Sequence, residues 1–190
     1  MNVSIDISNV VLKSFRLVIR PWRLSDVNDL FEYASIPEVG LMAGWPPHES
    51  KDESLEIVKK FIDGKSTFAL ECNEKVIGSV GIEKYNEKLL KDLKNIRCRE
   101  LGFALSKDFW GQGLMPEALK EIIDYLFYDI SLDAIVCGHF VQNKQSARVQ
   151  EKLGFKFYSD FDNYVTRSGM VRNSIVTILR REDWITKHNR

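Results

Sequence analysis

One stretch of this chain constrains its fold more than any other: a strand, a glycine turn and a helix follow one another directly. Arg99 to Leu105 reads as a strand, Ser106 to Gly113 as a turn, and Leu114 to about Tyr128 as a helix. Pro116 falls in the first helical turn, where its missing N–H deprives no partner. Gly111 and Gly113 let the backbone turn tightly and approach a ligand. The helix start adds unsatisfied N–H groups and a partial positive charge. The combination suits an anion such as a pyrophosphate, held by donors from about Gln112 to Met115. Taken alone, Gly-x-Gly is a weak signal, since many such turns only enter a helix. A Walker loop needs Gly-Lys-Ser/Thr where Leu114 and Met115 stand, and a dinucleotide fingerprint needs glycine where Pro116 stands.

The flanking segments supply a sheet and its covering helices. Residues 15 to 20 alternate as a strand that Pro21 ends. Ser25 with Asp26 is expected to cap a helix with Val27, Leu30, Phe31 and Ala34 on one face, and Pro37 to stop it. Gly40 to Ser50 reads as irregular. Ser50 and Glu53 form a capping-box pattern for a helix that Gly64 ends. Residues 67 to 72 and 75 to 83 read as a hairpin turning at Asn73-Glu74. Lys84 to Arg97 is highly charged and reads as a solvent-exposed excursion. Asp133 to Phe140 follows as a strand, Asn143 to Leu153 as a helix closed by Gly154, and Phe155 to Tyr158 and Val171 to Leu179 as strands. A long hairpin through residues 160–170 joins the last two. The order indicates one mixed α/β domain over residues 1–190.

Charge and cysteine usage narrow the function. Net charge is zero, with 27 basic and 27 acidic residues, so the whole molecule is not an electrostatic binder of nucleic acid or of an acidic membrane. No apolar run approaches the roughly 20 residues of a membrane helix, and the first residues lack a signal-peptide pattern. Cys72, Cys98 and Cys137 are odd in number and far apart, which argues against disulfides or a zinc site and fits a reducing cytoplasm. His48, His139 and His188 have no ligand spacing and read as structural or exposed; no metal is expected.

Two motifs carry a family resemblance. Glu100-Leu101-Gly102-Phe103-Ala104-Leu105 followed by Phe109-Trp110-Gly111-Gln112-Gly113-Leu114-Met115-Pro116-Glu117-Ala118-Leu119 resembles the acetyl-CoA motif of the GNAT N-acetyltransferase superfamily. His139 to Phe155, with Asn143-Lys144-Gln145-Ser146 and Lys152-Leu153-Gly154-Phe155, resembles its next motif. Asn-x-x-Ser paired with Lys-Leu-Gly-Phe, the opening Leu17-Val18-Ile19-Arg20-Pro21-Trp22 and the Trp45-Pro46-Pro47 stretch are similar to the branch holding the ribosomal-protein N-terminal acetyltransferases RimJ and RimL. The resemblance runs from about residue 15 to 184. It implies a mixed, mostly antiparallel twisted sheet of about seven strands flanked by about four helices.

The resemblance also implies roles. Acetyl-CoA is the co-substrate, with the backbone of Phe103, Ala104 and Leu105 pairing with its pantetheine arm as an added strand would. Trp110, Gly111, Gln112, Gly113, Leu114 and Met115 hold the pyrophosphate, and an N–H near Ala104 faces the thioester oxygen. Asn143 contacts the cofactor arm and Ser146 lies near the sulfur. The acceptor is a primary amine, either a protein N-terminal α-amine or a small-molecule amine. Glu100 aligns with a glutamate that some members of the superfamily use as general base, and Ser146 or a water is the candidate donor to the leaving thiolate. A base helps a lysine-type amine, titrating near ~10.4, more than an α-amine near ~7.7–8.0. Two positions depart from the family: Gln150 stands where a tyrosine acid is common, and Asp108 where Gln or Arg is usual.

Blander readings stand beside these. Glu100 as a solvated strand residue, Ser146 and Asn143 as helix caps, Trp110 as a packing anchor and Trp45-Pro46-Pro47 as loop packing all satisfy the pattern. A non-catalytic acyl-CoA-binding module on the same fold is the competing function. Specificity is expected from the 37–50 loop, helix 50–63 and the 160–170 loop, whose Glu, Asp, Trp and Tyr content suits a cationic amine. The assembly is expected to be a monomer or homodimer.

Overall fold

The computed structural model describes residues 1–166 and 169–188. Eight strands form one sheet in the order β1-β2-β3-β4-β5-β6-β8-β7. They are β1 (Leu12–Lys13), β2 (Val18–Pro21), β3 (Thr67–Cys72), β4 (Lys75–Glu83), β5 (Cys98–Leu105), β6 (Ala134–Phe140), β7 (Lys156–Val165) and β8 (Val171–Arg180). Every neighbouring pair is antiparallel except β5 with β6. Among the described residues the α-helices are α1 (Val27–Ala34), α2 (Pro37–Ala43), α3 (Lys51–Gly64), α4 (Leu114–Asp124), α5 (Lys144–Leu153) and α6 (Arg181–His188). None is long and apolar enough to cross a membrane. The mixed, mostly antiparallel class expected from the sequence holds, with one more strand and two more helices.

Each face of the sheet is packed by its own helices. Leu101, Leu105, Ile135 and Cys137 project to one side, where Leu114, Ala118, Leu119, Ile122 and Phe127 of α4 and its extension cover them. Ala69, Val76 and Ala104 project to the other and meet Leu30, Tyr33, Val39 and Val58 of α1 to α3. Strand alternation thereby sorts β5: odd-numbered side chains face α4, even-numbered ones face α2.

Several boundaries differ from the sequence expectation, each for a local reason. Asp26 does not cap α1 with its side chain; it is buried against Arg20 (Nη1 and Nη2 at 2.8 and 2.9 Å) and accepts from the Arg23 amide. Pro37 starts a helix instead of only ending one, because proline fits the first helical position, and Gly44 at φ 92° closes α2. Ser50 caps α3 by accepting from the Glu53 amide at 3.1 Å, but the Glu53 carboxylate accepts from Glu49 N–H, one residue upstream of a capping box. Gly64 stays helical and Lys65 takes the left-handed cap at φ 51°. After Asp124 the helix widens into a π-helical turn over Tyr125–Asp129. The β3–β4 hairpin turns at Asn73 and Glu74, both left-handed, as expected of a two-residue turn matching strand twist.

The charged excursion is not solvated throughout. Tyr85, Leu90 and Leu93 are buried against Cys98, Ala134, Val136 and Ile178, while its lysines stay outside. The 160–170 region is strand through Val165, with register shifts between Phe157 and Ser159 and between Phe161 and Tyr164. Arg167 and Ser168 of that expected loop lie outside the described residues.

Candidate active site

The site begins where two neighbouring strands part. β5 and β6 pair in parallel from Cys98↔Ala134 to Leu101↔Cys137 and no further. Beyond that point β5 stays on β4 as far as Leu105↔Gly78, and β6 stays on β8 as far as Phe140↔Ser174. The sheet therefore opens as a V. A cavity of about 360 Å³ fills the opening, walled by Phe103 to Leu105, the 109–116 turn, α2 and α5. Ten of the residues expected at the site line it: Phe103, Ala104, Leu105, Trp110, Gly111, Gly113, Leu114, Met115, Asn143 and Ser146.

The edge of β5 inside the V can accept an added strand, though not through all three residues named from sequence. Ser106 donates to Ile77 O on the β4 side. By alternation Ala104 and Gly102 turn their backbone groups toward β4, while Phe103 and Leu105 turn theirs into the opening. The Leu105 carbonyl accepts from Trp110 Nε1 at 2.8 Å. Phe103 is thus the residue that presents both N–H and C=O to a ligand. Ala104 contributes its methyl to the wall, and an oxyanion contact through its own N–H does not fit this geometry. The Trp110 ring is a packing anchor between the two cores, as one reading of the sequence had it.

The turn and α4 supply the anion end. Gly111 and Gly113 sit at φ 75° and 77°, in the left-handed region open to glycine. Gly113 is the N-cap of α4 and has no side chain to satisfy the first amides. Leu114 and Met115 N–H groups therefore remain as donors, while Pro116 has none to leave unpaired. Gln112 does not line the cavity; its side chain donates to the Asp108 carbonyl and its own carbonyl accepts from Arg16 Nη1. It braces the turn from outside. Arg16 also pairs with Glu117 at 2.7 Å, tying β2's approach to the first turn of α4.

Two cations that the sequence reading did not assign to the site also line the cavity. Gln145, Arg148, Val149 and Lys152 line the cavity from α5 at helical i, i+3, i+4 and i+7 spacing. That stripe was legible in principle, but a basic helix face reads as solvated until the tertiary fold turns it toward the cleft. Val39, Met42 and Ala43 of α2 were likewise unassigned, because the segment after Pro37 read as irregular. Open left-handed glycines, uncapped amides and two cations fit a pyrophosphate and its neighbouring phosphates; the parted strand fits an extended amide arm.

The two residues named for proton transfer lie on opposite faces of the sheet. Glu100 is half-buried on the α2 face, at the closed end of the V rather than in the main cavity. Gly138 stands beside it, where even a β-carbon would lie 3.5 Å from Glu100 Oε1. Ser146 is buried on the α5 side. Its amide donates to Asn143 Oδ1 at 3.0 Å, so Asn143 is the N-cap, and Asn143 Nδ2 reaches Met42 O at 3.0 Å to join α5 to α2. Gln150, in the place of the tyrosine, is 1% exposed and donates to Ser146 Oγ at 3.0 Å. His139 is no surface histidine: Nδ1 lies 3.0 Å from Gln150 Oε1, and burial holds its pKa below the usual value.

Comparison with known proteins bears on the family and the fold. The family model described as "Acetyltransferase (GNAT) domain" matches residues 16–156. An uncharacterised N-acetyltransferase, p20, from Bacillus licheniformis is 25% identical over 175 residues, spanning 88% of this chain and 94% of that protein. The [ribosomal protein uS5]-alanine N-acetyltransferase of Escherichia coli (strain K12) is 30% identical over 84 residues, 44% of this chain and 43% of that protein. A GNAT-family acetyltransferase structure from Bacillus anthracis superposes with a TM-score of 0.79 at 20% identity, covering 91% of this chain and 99% of that one.

Proposed function

Because this chain belongs to the GNAT acetyltransferase family and is an N-acetyltransferase, we propose that it acetylates a primary amine, foremost a peptide N-terminus, in a ternary complex held across the β5–β6 opening. The observation that carries this reading is the parting of β5 from β6 at Leu101↔Cys137, directly beside the uncapped N-terminus of α4. Phe103 holds the pantetheine arm. The 111–115 amides hold the pyrophosphate, with Arg148 and Lys152 adding charge. When bound, acetyl-CoA supplies an acyl group already activated as a thioester. The residues then have two tasks on two sides of the sheet. Glu100, on the α2 side, accepts the proton that the amine sheds, through a water because it stands back from the cavity. Ser146, on the α5 side, donates a proton to the departing sulfur.

A second cavity, about 530 Å³, adjoins the first through Met42 and is the proposed acceptor site. Leu41, Phe140, Asn163, Arg172 and Asn173 line it, with no carboxylate among the lining residues. This reverses the charge expected from the loop sequences. A polyamine is disfavoured there, and a peptide start, with its carbonyls and an apolar first side chain, suits amides and Arg172 better. Likeness to the uS5-alanine acetyltransferase supports the same choice and the RimJ/RimL-like branch.

Free thiol release from acetyl-CoA, measured with N-terminal peptides, polyamines and aminoglycosides beside calorimetric binding of CoA, tests the reading. Peptide-dependent release with tight CoA binding is expected. CoA binding with release only on polyamines would overturn the acceptor assignment. Failure to bind CoA would overturn the assignment of the cleft.

A further inference from the structure

Gln150 lies at the centre of a buried hydrogen-bond cluster behind the cleft. Its Oε1 accepts from Thr177 Oγ1 at 2.8 Å and lies 3.0 Å from His139 Nδ1. Its Nε2 donates to Ser146 Oγ at 3.0 Å and lies 3.5 Å from the Gly138 carbonyl. These neighbours come from three elements: β6, α5 and β8. Thr177 Oγ1 also lies 3.2 Å from the Cys137 carbonyl; with its proton on Gln150 and the His139 proton on Nδ1, the amide nitrogen faces Ser146 and the Gly138 carbonyl, whereas turning the amide would set its oxygen against that carbonyl. Burial holds the His139 pKa below its usual value, against the opposing effect of its bond to Gln150 and with help from nearby Lys144. A neutral ring donating from Nδ1 matches an acceptor oxygen on Gln150.

The consequence falls on Ser146. A hydroxyl has one proton, and its oxygen already accepts from Gln150. No acceptor for the Ser146 O–H is found among the described residues, and the side chain lines the cofactor cavity. We infer that Gln150, held by His139 and Thr177, is a positioning residue that commits the Ser146 hydroxyl to donate into the cleft. The inference rests on the acetyl-transfer reading, in which that proton goes to the leaving sulfur. The proton leaves Ser146 Oγ for the thiolate as the C–S bond breaks, and Ser146 regains one from water. Gln150 moves no proton itself. The amide thus takes over orienting the donor where other members of the family place a tyrosine.

A double-mutant cycle on steady-state kcat and KM tests this. Ser146→Ala is expected to lower kcat by ~10²-fold, the usual scale of general acid catalysis. Gln150→Leu is expected to lower kcat about tenfold or more with the KM for acetyl-CoA unchanged, and to add less than about twofold in the Ser146→Ala background. Assayed at a pH where the carboxylate is ionised, since burial raises its pKa, Gln150→Glu keeps the shape but offers Ser146 an acceptor instead of a donor. It is expected to lose as much kcat as Gln150→Leu, and it serves if the leucine variant folds poorly. An equal loss from Gln150→Leu in both backgrounds, or wild-type kcat in Gln150→Glu, would overturn the positioning role. An active enzyme indifferent to Ser146→Ala would instead remove the donor reading beneath it.

Discussion

Replacing Gly111 or Gly113 by alanine tests the anion turn with a magnitude set by backbone conformation. Both residues sit at φ near +75°, and a β-carbon at Gly111 would meet no atom within 4 Å, so the methyl group itself fits. At Gly113 the nearest atom is Arg16 Nη2 at 3.8 Å, an ordinary contact. The penalty is therefore conformational, about 1–2 kcal/mol for an L-residue forced left-handed. It must appear in one of two places. If the free turn keeps its shape, folding stability falls by that amount; with an unfolding entropy of about 0.4 kcal/mol per K for a chain of this size, Tm drops about 3–5 °C. If the free turn relaxes, Tm is preserved and CoA binding must restore the shape, weakening it about 5- to 30-fold. The two losses sum to the same free energy. Differential scanning calorimetry and CoA titration on each variant measure both. Unchanged Tm together with unchanged CoA affinity would refute the claim that the left-handed turn forms the binding site.

Other expectations follow from the same geometry. Glu100→Gln should lower kcat by ~10²-fold or more while leaving CoA affinity intact, read by thiol release and calorimetry. Asp26→Ala leaves the buried Arg20 guanidinium with the Glu71 carboxylate and the Pro21 carbonyl and should cost about 3–5 kcal/mol in urea unfolding, against a smaller loss for the less buried Glu71. Burial lowers the pKa of His48 and His139, so the unfolded chain binds more protons just below pH 6.5 than the folded one. Stability should therefore be complete above that pH and fall as pH drops through 6.5 toward the folded values, with a shallower slope in His139→Gln. Arg172→Glu should raise KM for peptides carrying an acidic residue near the amine and lower it for basic ones, without changing KM for acetyl-CoA.

The sequence by itself determined the elements whose signals are local. Asn73-Glu74 between two alternating runs is a hairpin in any context, and Gly111 and Gly113 before an apolar-periodic segment make a turn and a helix start. Asn143 three residues before Ser146 is an N-cap, as the Ser146 amide's bond confirms. Local signals failed where a residue had a second, distant partner. Asp26 looks like a cap until Arg20 claims it, and Lys84 to Arg97 looks solvated until Tyr85 and Leu93 find Val136 and Ile178. Only the tertiary structure decided the working parts of the site. Whether β5 leaves β6 after Leu101 depends on pairings more than 30 residues apart, which no spacing records. Which face Glu100 and Ser146 occupy follows from sheet pleat and helix docking together. That Gln150 lies between His139, Thr177 and Ser146 is a fact about three elements meeting, and a glutamine in a helix carries no local sign of it.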